Sequence, residues 1–126
     1  MISVCKRFEF EAAHFLPFHK GKCSSMHGHT YTLEVEVVSK RRTLKGLDPS
    51  STGMVLDFSD LGAIVTKHIL DELDHHLLND ILGHPTAENL LLWMVKILEK
   101  EFEKVQMGLV RLQLWETTNC YAVWRP

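Results

Sequence analysis

Along residues 2–14 hydrophobic and polar positions alternate. Ile2, Val4, Phe8, Phe10, Ala12 and His14 share one parity, interrupted only by Lys6, while Ser3, Arg7, Glu9 and Glu11 share the other. A period of two belongs to a half-buried strand. Residues 15–26 carry Pro17, Gly21, Ser24 and Ser25 and read as a loop. Alternation resumes over 27–38, with His27, His29, Tyr31, Leu33, Val35 and Val37 on one face and Thr30, Thr32, Glu34 and Glu36 on the other. The two strands are predicted to pair antiparallel. Residues 43–53 form a second loop, followed by the apolar run Met54-Val55-Leu56. Ser59 is the expected N-cap of a helix with Asp60 in its first turn, and Leu61, Ile64, Val65, Ile69 and Leu73 follow at helical spacing. Pro85-Thr86 opens a second helix, with Thr86 as N-cap and Glu88 in the first turn. Its broad apolar face runs from Leu90 and Leu91 through Trp93, Met94, Ile97 and Leu98 to Phe102. Over 108–116, Val110, Leu112, Leu114 and Glu116 alternate with Arg111, Gln113 and Trp115, and 120–125 supply a last strand. The order ββααββ predicts an α+β fold: an antiparallel four-stranded sheet with two helices on one face. Without repeats or linkers, residues 1–126 read as one domain.

Composition narrows the functional classes. The 126 residues are 45% hydrophobic and 24% charged, the balance of a soluble globular domain. Its small size makes oligomerisation a reasonable expectation. A formal net charge of −2 argues against a nucleic-acid binder that works through a basic surface. The one basic run, Lys40-Arg41-Arg42, reads as a solvated turn. No stretch approaches the roughly 18 consecutive apolar residues of a membrane span. Three cysteines, Cys5, Cys23 and Cys120, and no signal peptide point to reduced thiols and a cytoplasmic location.

The chemistry lies in the histidines. In His27-Gly28-His29 the two imidazoles are one strand period apart and project from the same face. His14 ends the first strand on the matching parity. A lone histidine on an apolar face is ordinarily a hydrogen-bonded core residue, but three converging at one sheet end favour a metal. Three neutral imidazoles are a zinc set with the fourth position open to water or substrate. Gly28 leaves room for backbone or substrate to approach. His19, His68 and His84 have no such partners and read as loop or helix-surface residues.

Three further positions carry open alternatives. Cys23 lies four residues before His27. It is either a thiolate base beside the metal or a fourth ligand that closes a structural site. Asp74-His75 is either a carboxylate orienting an imidazole or a pair of helix-end polar residues. His76 duplicates His75, and adjacency to Asp74 selects His75. Glu116 shares a parity with buried residues: either the strand stops there, or its carboxylate forms the floor of a pocket, suited to an amidine-like edge.

Together these segments resemble the 6-pyruvoyl-tetrahydropterin synthase superfamily. The carriers are residues 10–17 (FEAAHFLP), 23–31 (CSSMHGHTY), 54–58 (MVLDF), 73–80 (LDHHLLND), 85–89 (PTAEN) and Glu116-Thr117, in family order across nearly the whole chain. The short spacing from Cys23 to His27 is similar to the carboxytetrahydropterin-forming branch. The resemblance implies a tunnelling fold whose strands assemble into an oligomeric barrel, a homo-oligomer built as a hexamer (a dimer of trimers), with active sites between subunits. It implies zinc on His14, His27 and His29, Cys23 as base, an Asp74–His75 relay that a neighbouring subunit contributes, and Glu116 anchoring the pterin. Thr86 and Glu88 would shape that pocket, although Thr86 is equally a helix cap. The implied reaction converts 7,8-dihydroneopterin triphosphate to 6-carboxytetrahydropterin, acetaldehyde and triphosphate in queuosine synthesis. The pyruvoyl-forming reaction and a non-catalytic zinc module are the competing readings. Lys20, Lys22 and Arg7 are the candidate cations for the triphosphate.

Overall fold

A computed structural model describes residues 1–126. Strands β1 (Ser3–His14) and β2 (His27–Ser39) occupy the two alternating segments. Their alternation is realised as burial: Phe8, Phe10, Ala12 and His14 of β1 and Tyr31, Leu33, Val35 and Val37 of β2 are buried. With β3 (Met107–Trp115) and β4 (Tyr121–Trp124) they form an antiparallel sheet in the order β1-β2-β3-β4. The helical segments connect β2 to β3 and cover one face. This is the α+β architecture and ββααββ order that the pattern predicts.

The first helix departs from expectation at its start. It begins at Phe58, and its N-cap is Asp57 rather than Ser59. The Asp57 carboxylate accepts the Ser59 N–H at 2.7 Å and the Ser59 hydroxyl at 2.6 Å, so Ser59 is a donor to the cap. Helical backbone then runs without a break through α1 (Phe58–Val65), a π-helical stretch (Thr66–Leu70) and α2 (Asp71–Leu73). The π stretch has a reason in the sequence. Leu61, Val65, Ile69 and Leu73 are all fully buried and recur every fourth residue. Four residues overshoot a 3.6-residue turn by about 40° per step, which would carry the stripe around an α-helix. The wider i→i+5 turns absorb that excess and keep the stripe on the core.

α3 (Ala87–Lys104) is capped as expected, with Thr86 Oγ1 accepting the Asn89 N–H at 3.1 Å. It packs across β3 and β4. β3 differs from its simple alternation. Its register against β2 shifts between Glu36, which faces Arg111, and Val37, which faces Leu109. Val110 is the extra residue of this bulge, so the buried set is Met107, Leu109, Leu112 and Leu114, with Val110 only half-buried.

The chain leaving α2 returns along the free edge of β1. His75 N–H donates to the Glu11 carbonyl at 2.6 Å and Ala13 N–H to the His76 carbonyl at 3.2 Å. No helix is long and apolar enough to cross a membrane. The basic run is tied down, Lys40 to Glu103 and Arg41 to Gln106 and the Gly46 carbonyl.

Leu112 is 0% exposed and Leu92 56%. Leu112→Ala is expected to lower stability by about 2–5 kcal/mol, and Leu92→Ala to leave it within about 0.5 kcal/mol, as read by urea unfolding.

Candidate metal centre

The register of the first hairpin assembles the site. His14 is the cross-strand partner of His27, and Ala12 that of His29. His27 and His29 therefore stand side by side on the buried face, with His14 opposite. The rings meet edge-on, with centroids 4.6 Å apart for His14–His27, 5.1 Å for His14–His29 and 4.8 Å for His27–His29. One ligand nitrogen from each lies within 4.8 Å of the others. Nε2 of His14 and Nε2 of His27 are 3.0 Å apart. Two nitrogens bound at about 2.0–2.1 Å in a tetrahedral set would lie roughly 3.3 Å apart, so small ring movements accommodate an ion.

Two of the rings are also oriented for a metal. His14 Nδ1 lies 2.8 Å from the Pro85 carbonyl, and His27 Nδ1 lies 2.7 Å from the Ser25 carbonyl. A carbonyl only accepts, so each Nδ1 carries the proton and each Nε2 keeps its lone pair. Pro85 is itself buried, and its segment is held by Asn89, whose Nδ2 donates to the His84 carbonyl at 2.9 Å. Burial lowers the pKa of His14 and of His29 below the usual imidazole value. The Pro85 bond at His14 and the Glu116 carboxylate near both rings oppose that shift. Neutral imidazole is the metal-binding form. The Tyr31 hydroxyl, 3.4 Å from His14 Nδ1, stays protonated because burial raises its pKa, and its ring stacks on Phe10 at 4.9 Å.

The remaining expected residues surround this group at different removes. Glu116 is the first residue past β3, so the strand does end there. Its carboxylate is nonetheless close enough for its charge to act on His14, His29 and Tyr31. It lines a cleft of about 450 Å³ with Glu88, Ala87 and Tyr121. Thr86 is accounted for as the α3 cap. Cys23 sits half-buried in a 3-10 turn (Lys22–Ser24), and its carbonyl accepts the Leu16 N–H at 2.8 Å. The metal-capable group consists of the three histidines, and Cys23 lies outside it.

Asp74 and His75 form a defined pair. Asp74 Oδ1 lies 3.0 Å from His75 Nδ1 and accepts the Glu11 N–H at 2.9 Å. That N–H is the leading reason the Asp74 carboxyl sits below its ordinary pKa, with His75 adding to it. His76 Nδ1 turns instead to the Asp74 backbone carbonyl at 2.8 Å. His75 adopts φ +59°, a left-handed conformation uncommon for a non-glycine residue, and its N–H bond to Glu11 holds it there. Its exposed ring lies beside Glu11 at the β1 edge, in an open cleft of about 560 Å³ that also includes Gly28, His29, Thr30 and His76. A side chain at Gly28 would make only ordinary contact with the Ala12 carbonyl, so packing does not require glycine there.

Of the candidate cations, Arg7 is committed to Glu34 at 2.7 Å, whereas Lys20 and Lys22 are exposed beside Cys23. The histidines read as surface residues are partly engaged. His19 Nδ1 accepts the Gly21 N–H, His68 lies 3.2 Å from Glu101, and half-buried His84 has a shielded Nδ1 without a partner. Pattern reasoning missed Tyr31 as a neighbour of the site, although its parity with His27 and His29 marks it. It could not find Pro85 or Ser25, whose contributions are backbone carbonyls.

A family model described as 6-pyruvoyl tetrahydropterin synthase matches residues 3–126. A Synechocystis sp. protein named 6-carboxy-5,6,7,8-tetrahydropterin synthase is 46% identical over 121 residues, covering 94% of this chain and 89% of the relative. A Haemophilus influenzae protein of the same name is 32% identical over 143 aligned positions, covering 96% of each. The structure of Caenorhabditis elegans 6-pyruvoyl tetrahydropterin synthase superposes with a TM-score of 0.77 at 24% identity, covering 99% of this chain and 95% of that one. That likeness shows the shared fold.

Replacing His14, His27 or His29 with Ala is expected to abolish retention of a bound metal ion after gel filtration, measured by plasma emission spectrometry, while Cys23→Ala retains it. The metal-free protein is expected to lose stability with acid. The folded pKa values of His14 and His29 lie below 6.5, so the unfolded chain takes up protons first as pH falls through that value. Thermal melts of chelator-treated protein between about pH 8 and 5.5 should show a falling Tm, and a flat profile would contradict the buried neutral rings.

Proposed function

The chain belongs to the 6-pyruvoyl tetrahydropterin synthase family, and from that premise we propose that it converts 7,8-dihydroneopterin triphosphate to 6-carboxy-5,6,7,8-tetrahydropterin, releasing acetaldehyde and triphosphate, as a zinc lyase of queuosine biosynthesis. The observation that carries this reading is the three-imidazole group at the end of the first hairpin. The relatives named 6-carboxy-5,6,7,8-tetrahydropterin synthase, aligned over nearly the whole chain, favour the carboxy-forming branch.

His14 and His27 through Nε2, with a ring nitrogen of His29, suit zinc and leave a fourth position open. A zinc ion held there would supply Lewis acidity toward the hydroxyls of the substrate side chain. The chain's own groups do the remaining work. The Glu116 carboxylate receives the amidine-like edge of the pterin through two parallel charge-assisted bonds, and Thr86 and Glu88 shape that side of the pocket. The Cys23 thiolate takes a proton from the substrate side chain. His75, its Nδ1 turned to Asp74, presents Nε2 to the partner proton, and the ionised Asp74 keeps that tautomer. Lys20 and Lys22 meet the triphosphate.

The Asp74–His75 pair stands exposed at the β1 edge, in a cleft that His29 also lines. A relay supplied by a neighbouring copy is what the family resemblance implies. The outer strands β1 and β4 leave free edges for such copies to pair with, in a homo-oligomer built as a dimer of trimers. Residues 1–126 act as one domain in this scheme. Three free cysteines accord with a cytoplasmic site of action.

The test is incubation of the zinc-loaded protein with 7,8-dihydroneopterin triphosphate and identification of the products by mass spectrometry. Carboxytetrahydropterin with acetaldehyde is expected, and Cys23→Ala should retain zinc while kcat falls by about 10²–10⁴. A pyruvoyl product would assign the chain to the sister reaction. Unreacted substrate would return it to a non-catalytic zinc module.

A further inference from the structure

Asn79 lies in a 3-10 turn (Leu78–Asp80) five residues beyond Asp74 and is half-buried. Its carboxamide pairs with both backbone polar groups of Phe15. Oδ1 accepts the Phe15 N–H at 2.9 Å, and Nδ2 donates to the Phe15 carbonyl at 2.9 Å. The side chain thus does for Phe15 what a neighbouring strand would do, one residue past the end of β1. Phe15 joins two functional neighbours. Before it is His14; after it is Leu16, whose N–H holds the Cys23 carbonyl at 2.8 Å. The peptide fixed by Asn79 therefore links a candidate metal ligand to the residue that closes the base of the Cys23 loop.

We propose that Asn79 is a positioning residue that sets the placement of Cys23 relative to the His14 side of the metal site. The inference rests on the reading of Cys23 as the proton-transferring group. Only a carboxamide of this length makes both bonds: aspartate cannot donate to the Phe15 carbonyl, and glutamine adds a methylene. A misplacement of about 1 Å suffices to slow a reaction by roughly 10²-fold.

The test compares Asn79→Asp and Asn79→Ala with Leu112→Ala, a destabilised control remote from the site. In Asn79→Asp, kcat should fall by about 10–100-fold with KM within about twofold, because Glu116 still holds the ring. Zinc affinity by chelator competition should fall by about tenfold, and iodoacetamide labelling of Cys23, followed by peptide mass spectrometry, should become faster. Leu112→Ala should change none of these. If Asn79→Ala does not fold, Asn79→Asp decides, since it keeps one of the two bonds. Wild-type kcat, zinc affinity and labelling in a folded Asn79→Asp would overturn the proposal, as would an equal loss of kcat in Leu112→Ala. If the wild-type protein turns over no pterin, the reaction assignment fails by itself, and zinc affinity and Cys23 labelling still judge the role of Asn79.

Discussion

Antiparallel pairing of β1 with β2 places His14 opposite His27 and Ala12 opposite His29, and every other feature of the site is arranged around that register. A slip of one residue between them would turn His14 to the face of the sheet opposite His27 and His29. The histidines cannot hold the register themselves. Phe8, Phe10, Tyr31, Leu33, Val35 and Val37 do so, because all are buried in this pairing and a one-residue slip would expose one strand's set. A fully buried side chain of this kind contributes about 1.5–3 kcal/mol. On the outer face Arg7–Glu34 bridges the same two strands, but surface ion pairs are worth at most about 1 kcal/mol. The metal geometry is therefore inherited from the apolar core.

Around that hairpin the protein supplies direction through its backbone. The Pro85 and Ser25 carbonyls choose the tautomers of His14 and His27, and the cap of α3 holds the first of these carbonyls in place. Burial favours the neutral form of His14 and His29, and the Glu116 carboxylate opposes it without cancelling it. Asp74 shows the converse arrangement. It stays ionised because a backbone N–H from β1 is aimed at it.

The first helix delivers that carboxylate. Its stripe at a spacing of four ends in fully buried Leu73, so Asp74 emerges where the chain meets the β1 edge. The π stretch between α1 and α2 makes this possible, because a regular α-helix would have rotated Leu73 off the core. Backbone bonding of His75 and His76 to β1 then occupies one end of that edge and leaves the rest free.

Local period was enough to read the two long strands, α3 with its Thr86 cap, and the shared face of His14, His27 and His29, since alternation and helical spacing are properties of neighbouring residues. The parity that Glu116 shares with Leu112 and Leu114 was legible in the same way, but its nearness to the histidines was not. The bulge at Val110 was not: an apolar residue fits either phase of a strand, and only pairing with β2 reveals the shift. Asp57 and Ser59 are both good caps by composition, and three-dimensional backbone geometry selects Asp57. The Glu11 N–H aimed at Asp74, the separation of Cys23 from the ligand group, the tautomer-setting carbonyls and the hold of Asn79 on Phe15 all depend on contacts formed through folding. Several of them join residues more than sixty positions apart. A one-dimensional pattern records which face a side chain takes, whereas the backbone group it meets there is decided by tertiary packing alone.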